Sequence, residues 1–458
     1  MDRPRLQPGS ARAYARGPHA RWPWWLALAG CALDLAAFWP GQVSFDAAYA
    51  WWQARHGATL GVTPAAFVLG WRVSDWLGAG PELLFTAQLL LFWSGLALLA
   101  QSLRWPAARG ACALAGIALL PLPWLLRSHV WTDVGLLAAL TCALGLLARA
   151  QQAQRRWPWL AAALPCLAWA ALLRHNALPA SVPLLGYWAA LAVSGAAGCR
   201  RRWLRIVALT GALLLALAGG ARVLDAGTQG RVPLWPSLAQ FDLAGISVQT
   251  QRMWLPAFMI DPRLDIAELT RVFRPWSNLS LFDTRHGMRS PFEPPLTRAE
   301  LHELRHAWLD AISNHPAAWL AHRWRVTRAL VGTHRADWPV ELSYVDAQVR
   351  YRDTPVVAPN RGWLHRLLMQ AAASLRTTPL LAAWPYLLTG LLALAPAWRR
   401  RRHPAGRLAL VALASAWLLA LPLTLLAPAA ELRYLGWPCV ASLIALALVL
   451  ATPVRDTR

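Results

Sequence analysis

Residues 24–57 read WWLALAGCALDLAAFWPGQVSFDAAYAWWQARHG, and the fold follows from how this stretch divides. Trp24–Trp39 is an apolar run with one acid, Asp34, close to the ~20 residues that carry a helix across a bilayer. Pro40-Gly41 stops it, because proline lacks an amide N–H and glycine favours a turn. Beyond the break, Asp46 stands among Phe45, Tyr49, Trp51 and Trp52, aromatic residues of the kind that favour a membrane–water interface. Two readings of 39–57 stand side by side. One is an amphipathic helix resting at the interface; the other is a membrane-face site in which Asp46 acts as a base.

Comparable apolar runs recur along the 458 residues, which are 57% hydrophobic and only 15% charged. That is too apolar for a soluble domain. The runs predict spans at 24–39, 82–103, 107–126, 133–150, 158–173, 177–195, 204–222, 379–398, 406–427 and 435–452. The fold class is therefore an all-α polytopic membrane protein with about ten transmembrane helices. Thr63–Gly78 is apolar but short and carries Arg72 and Asp75, so it reads as a helix on the outer face. The expected organisation is a cytoplasmic N-terminus (1–23) and a first block of about seven spans (24–224) that includes an outer loop at 40–81. A periplasmic region with amphipathic helices (225–378) and a last block of about three spans (379–458) complete it.

The formal charge of +23 comes from 45 basic residues, all of them Arg. Twenty-one lie in the loops that this topology places in the cytoplasm, opposed there only by Asp2 and Asp456. The basic balance is thus an orientation signal and not a nucleic-acid footprint, and contact with anionic membrane lipid is its by-product. Arg without Lys, with abundant Ala, Leu and Trp, points to a GC-rich bacterial source, hence an inner-membrane protein with its large loop in the periplasm. The Arg-rich start lacks a small-x-small cleavage pattern and reads as an uncleaved anchor. Six scattered cysteines indicate neither a disulfide framework nor a Cys metal site.

The large region holds 14 of the 22 acids and several Pro breaks. Helical patterns are expected at 298–313, 316–331 and 362–376, the first opened by a Thr297-x-x-Glu300 capping box, the other two lying flat on the membrane. His302-Glu303-Leu304-Arg305-His306 matches H-E-x-x-H, but the pattern is short, an x position carries Arg305 and no third ligand is evident. An ordinary surface helix is the expectation.

Polar groups gather where the topology puts the outer ends of spans: Asp46; His129 and Asp133; Arg174, His175 and Asn176; and Glu431, Arg433 and Tyr434. Ionisable groups near hydrocarbon are costly, so they need partners or a function. Arg174 and Arg433 are candidates to clamp a lipid phosphate, since a guanidinium's paired donors suit phosphate oxygens. Asp46 is a candidate base for an acceptor hydroxyl. Asp133 or Glu431 is a candidate to orient that acceptor, or to hold a divalent metal ion with Asp46. The alternative is that these groups pair with one another to close the ends of helices. Asp34, inside the first span, is expected to make one interhelix hydrogen bond.

The layout resembles the GT-C superfamily of membrane glycosyltransferases, which includes protein O-mannosyltransferases and lipid A aminoarabinose transferases. The likeness rests on Pro40-Gly41-x-x-x-x-Asp46, Trp131-x-Asp133, Arg174-His175-Asn176, residues 241–246 (FDLAGI) and Glu431-x-Arg433-Tyr434. Asp46 is followed by Ala47 where many members carry Glu, and Thr63-Pro64 stands where many carry His-Pro. The resemblance implies a polyprenyl-phosphate sugar donor, a cell-envelope acceptor, Asp46 as base in an inverting transfer, and Arg174 and Arg433 on the departing phosphate. A lipid-linked-sugar transporter and a non-catalytic envelope assembly protein remain as other classes. The first requires a polar path through mid-membrane, where the runs are almost wholly Ala, Leu, Val and Trp.

Overall fold

The computed structural model describes residues 21–58, 60–102, 107–174, 176–193, 199–227, 232–333 and 348–451. Among them the regular structure is helical, with isolated β-bridges and no β-strand. The first apolar run folds as α1 (Trp22–Phe38), with Pro23 in its first turn, where a missing N–H costs nothing. Ala27, Gly30, Cys31, Asp34 and Ala37 fall on one buried stripe, while Trp24, Trp25 and Leu28 face outward. After the Pro40-Gly41 break come α2 (Phe45–His56) and α3 (Ala65–Trp76), then α4 (Gly80–Ser102). The expected outer-face helix is thus α3. Trp51 stacks on Trp71 at 5.1 Å and donates to Asp75, which also pairs with Arg55, so α2 and α3 are clamped together.

The 107–126 run is not one straight span. It divides into α5 (Ala107–Ala118) and α6 (Pro121–Arg127), bent by 64°. Pro121 lacks the N–H that would continue the ladder and drives Leu120 out of helical backbone. Arg127 repairs the break by donating to the carbonyls of Ala118 (2.8 Å) and Pro123 (3.2 Å). Its guanidinium also pairs with Asp34 (3.1 Å), which accepts from Trp93 Nε1 (2.8 Å). Asp34 therefore holds a buried ion pair as well as the expected interhelix hydrogen bond. Gly30 has no side chain where the Trp93 ring sits, which lets α1 close on α4 at this point.

Helix α7 (Thr132–Gln152) is buried along almost its whole length and forms the centre of the bundle. Gly95 of α4 and Gly145 of α7 bring the two backbones together; a Cβ at either would lie 2.5 Å from the other helix. Small residues at such crossings are how apolar helices pack without water to drive them. Then follow α8 (Trp157–Leu172), α9 (Leu178–Ala192) and α10 (Cys199–Ala226). Helix α10 lies on the outside of the bundle, with Leu215 and Val223 largely exposed. The chain ends on α16 (Trp384–Arg399), α17 (Pro404–Leu426) and α18 (Gly436–Ala451). Five described helices are long and apolar enough to cross a membrane, the bent α5–α6 pair makes a sixth, and α1, α8 and α9 are shorter apolar helices.

Between the two blocks, α11 (Trp235–Thr250) is buried under α12 (Ile266–Val272), α13 (Arg298–Asn314) and α14 (Pro316–Val331). The Thr297–Glu300 capping box forms as expected. Helix α14 buries one face in protein. Its His322, Arg323, Val326 and Leu330 are buried in protein, because Asp242 of α11 draws Arg323 into an ion pair of 2.5 Å. Trp324 and Leu320 remain on its open face. Helix α15 (Trp363–Leu375) docks on the end of α1 through His365, whose Nδ1 lies 2.9 Å from the Ala37 carbonyl, and leaves Trp363 and Leu367 exposed.

The Asp34–Arg127 pair gives the fold a direct test. Asp34→Ala is expected to cost about 3–5 kcal/mol, since it leaves a guanidinium buried without its counter-charge. Asp34→Leu combined with Arg127→Met should recover part of that loss. Thermal unfolding in one detergent checks both; a midpoint unchanged in Asp34→Ala would overturn the role given to the pair.

Candidate functional site

Four segments that lie far apart in sequence meet at one end of the bundle. The first is the loop into α2. Gly41 has φ 99°, and a Cβ there would lie 2.8 Å from the Phe85 ring, so glycine is required on both counts. Gln42 donates to the Ser128 carbonyl (2.8 Å) and its carbonyl accepts from Val130 N–H (3.0 Å). This bridge sets Ser44–Asp46 against Trp131–Asp133, and Trp131 Nε1 donates to Ser44 Oγ at 2.6 Å. Asp46 and Asp133 each sit in the first turn of a helix, α2 and α7, where the free N–H groups favour a negative charge.

The other two segments bring the cations. Arg174, in the turn between α8 and α9, pairs with Asp133, donates to Asn176 Oδ1 (3.1 Å) and lies over the Tyr434 ring (4.7 Å). Arg433, in the short turn before α18, pairs with Asp46 (2.5 Å) and with Glu431. Its Nε is 3.9 Å from Asp133 and its guanidinium lies over the Trp131 ring at 4.9 Å. Three carboxylates and two guanidiniums thus form one connected cluster. The exposures divide it into two layers: the Asp46 side chain is 56% accessible, against 11% for Arg433 and 6% for Asp133. Asp46 is the member that faces outward.

Burial and neighbours shift these groups in ways that follow from the layering. Burial lowers Arg174 to about 10, which leaves it a cation at neutral pH. Glu431 is raised by burial, with Arg433 pulling the other way.

Of the residues singled out in the sequence, Asp46, Asp133, Arg174, Asn176, Glu431, Arg433 and Tyr434 come together. His175 lies outside the described residues. His129 is buried behind the cluster, its ring stacked on Trp131 at 3.8 Å and its Nδ1 3.0 Å from Ser128 Oγ. It supports the indole on which Arg433 rests. Arg433 lies between Asp46 and Asp133, two carboxylates named for a divalent metal ion, at 2.5 Å from the first and 3.9 Å from the second. Among the described residues no cluster of three or more His, Cys, Asp or Glu fits a metal. His302 and His306 stand on the exposed face of α13 with their Nε2 atoms 3.1 Å apart. The sequence did not single out Trp131 as the platform for Arg433, because stacking between segments has no sequence period.

Fold and site together define an all-α polytopic membrane protein with a charged cluster at one end of its bundle. No protein-family model matches the chain, and no curated protein does. Among solved structures it is similar to the archaeal oligosaccharyltransferase AglB from Archaeoglobus fulgidus in complex with an inhibitory peptide and a dolichol-phosphate. That match has 13% identity and a TM-score of 0.40, and covers 94% of this chain and 50% of the other. It is also similar to ArnT from Cupriavidus metallidurans bound to undecaprenyl phosphate, with 14% identity and a TM-score of 0.33, over 94% of this chain and 77% of the other. The chain therefore spans about half the length of the AglB chain it matches. Both likenesses are distant.

The cluster makes a prediction about stability. Arg433→Gln removes the cation from three carboxylates and is expected to cost about 3–5 kcal/mol. Asp46→Asn, at a half-exposed position, should cost about 1 kcal/mol or less. Equal unfolding midpoints for the two variants in the same detergent would overturn the role of Arg433 as hub.

Proposed function

We propose that the protein is a GT-C-like membrane glycosyltransferase that moves a sugar from a polyprenyl-phosphate donor to a cell-envelope acceptor on the periplasmic side of a bacterial inner membrane. The observation that carries this reading is the convergence of Asp46, Asp133, Arg174 and Arg433, from four separate segments, at one end of the helical bundle. The distribution of loop Arg residues supports an outer position for that end.

Arg174 also borders a largely apolar slot of about 190 Å³ between α3, α8, α9 and α10, lined by Ala65, Ala66, Ala171, Leu178 and Leu217, with Asp225 as its one acid. Helix α10 lies on the outside of the bundle, so a lipid tail entering beside it ends at a guanidinium. That is the arrangement a long apolar chain with a phosphate head requires. The cluster holds three carboxylates against two guanidiniums, so an arriving phosphate competes with carboxylates for Arg174 and Arg433.

The transfer follows from this competition. Arg433 turns from Asp46 to the donor phosphate, which frees the outward-facing Asp46 carboxylate. Asp46 takes the proton of the acceptor hydroxyl as that oxygen forms its bond to the anomeric carbon. The bond from that carbon to the phosphate oxygen breaks on the opposite face, giving inversion, and polyprenyl phosphate leaves with its charge held by the two guanidiniums. Asp133, buried behind them, orients both and does not touch the acceptor.

Purified protein supplied with polyprenyl-phosphate sugars and a cell-envelope acceptor extract tests this reading. Asp46→Asn is expected to lower transfer by about 10²- to 10⁴-fold. Undiminished transfer would overturn the assignment of Asp46 as base. Arg174→Lys keeps the charge but loses the paired donors, and is expected to raise the donor KM about tenfold or more. An unchanged donor KM would remove Arg174 from the phosphate site.

A further inference from the structure

Residues 348–353 cross over α2 as a strap, and the first of them reaches the loop that delivers Asp46. Gln348 Oε1 accepts from the Val43 N–H at 2.8 Å, and Gln348 Nε2 donates to the Gly41 carbonyl at 3.0 Å. Val349 N–H donates to the Val43 carbonyl at 2.8 Å. On the other edge of the loop, Gln42 is paired with Ser128 and Val130, and Gly41 N–H donates to the Phe38 carbonyl. Every backbone N–H and C=O of residues 41–43 thus has a partner, and two of those partners are the two ends of a single side-chain amide. Gln348 lies 305 positions from Val43 in the chain.

The strap is held firmly enough to act as a fixed point. Tyr351 packs edge-on against Phe45, Tyr49 and Trp52. Arg352 has φ 50°, lies over the Trp52 ring at 4.5 Å and pairs with Glu293 at 2.7 Å. A non-glycine residue keeps such a backbone conformation only where its surroundings over-determine it. Asp353 pairs with His56 at the far end of α2, 3.1 Å away.

We infer that Gln348 is a positioning residue for Asp46, holding residues 41–43 so that the carboxylate three positions further on meets both Arg433 and the acceptor hydroxyl. This rests on the transferase reading above. Gln348 touches neither substrate nor reacting atom; it acts through the Gly41–Val43 backbone. It lies half-buried in the strap, outside the packed core, so trimming it opens no cavity in the bundle.

Gln348→Ala removes both amide contacts. Gln348→Glu keeps the oxygen that accepts from Val43 and loses the donor to Gly41. In the transfer assay, Gln348→Ala is expected to lower kcat about 10- to 100-fold, the scale set by small misplacements of a catalytic group. The KM for the polyprenyl-phosphate sugar should stay within about twofold, because Arg174 and the apolar slot are untouched. Gln348→Glu should recover part of the loss in kcat. Hydrogen exchange on the protein without substrate should show faster exchange at residues 41–46 in Gln348→Ala, while α7 and α18 are unchanged. Active wild type with an unaltered kcat in Gln348→Ala, or a loss shared equally by donor KM, overturns the inference and leaves the transferase reading in place. Wild type without transfer activity overturns the transferase reading itself, and the positioning role falls with it.

Discussion

Arg433 is the interaction on which the site end of the molecule depends. Asp46, Asp133 and Glu431 come from three different segments, and each would repel the others if no cation stood among them. A carboxylate near hydrocarbon is costly unless it is paired. A guanidinium suits this place because it is planar, stays charged and presents donors in several directions, which lets one side chain serve three acids. The Trp131 ring beneath it fixes the plane. An ammonium could carry the charge but not the geometry. Because Arg433 follows α17 and precedes α18, and its partners open α2 and α7, one residue ties together elements from both ends of the chain.

The same principle recurs away from the site with a different outcome. Asp34–Arg127 and Asp242–Arg323 are both buried almost completely. Each joins a helix to a point where regular backbone stops: Arg127 bonds the carbonyl that ends α5, and Arg323 donates to the Ala427 carbonyl just after α17. Charged groups of this kind are enclosed on every side and hold the frame. At the cluster, by contrast, Asp46 keeps more than half of its surface open. That asymmetry sets Asp46, which is open to its surroundings, apart from the enclosed Asp133.

The periodic features of the molecule were legible in the sequence. Apolar runs of bilayer length set the helices, because every backbone N–H and C=O in a lipid environment must be satisfied within its own segment. Proline and glycine at 40 and 41 ended the first run, and Thr297 with Glu300 started α13, through local backbone rules that need no distant partner. The clustering of Asp46, Asp133, Arg174 and Arg433 was also within reach, since alternating spans return successive loops to the same side. The 64° bend within the 107–126 run has no such local signature beyond Pro121 and Pro123, which also fit a straight helix start.

What the sequence alone determined is therefore the all-α architecture, the positions of the helices and the set of polar residues sharing one face. Only the tertiary structure decided which carboxylate meets which guanidinium, which layer each occupies and what positions the loop before Asp46. Pairing of this kind depends on side-chain direction and distance between segments that have no common period. Gln348 illustrates the limit. Nothing in its own stretch marks it, and its meaning comes from a backbone 305 positions away, where its amide meets the Val43 N–H and the Gly41 carbonyl.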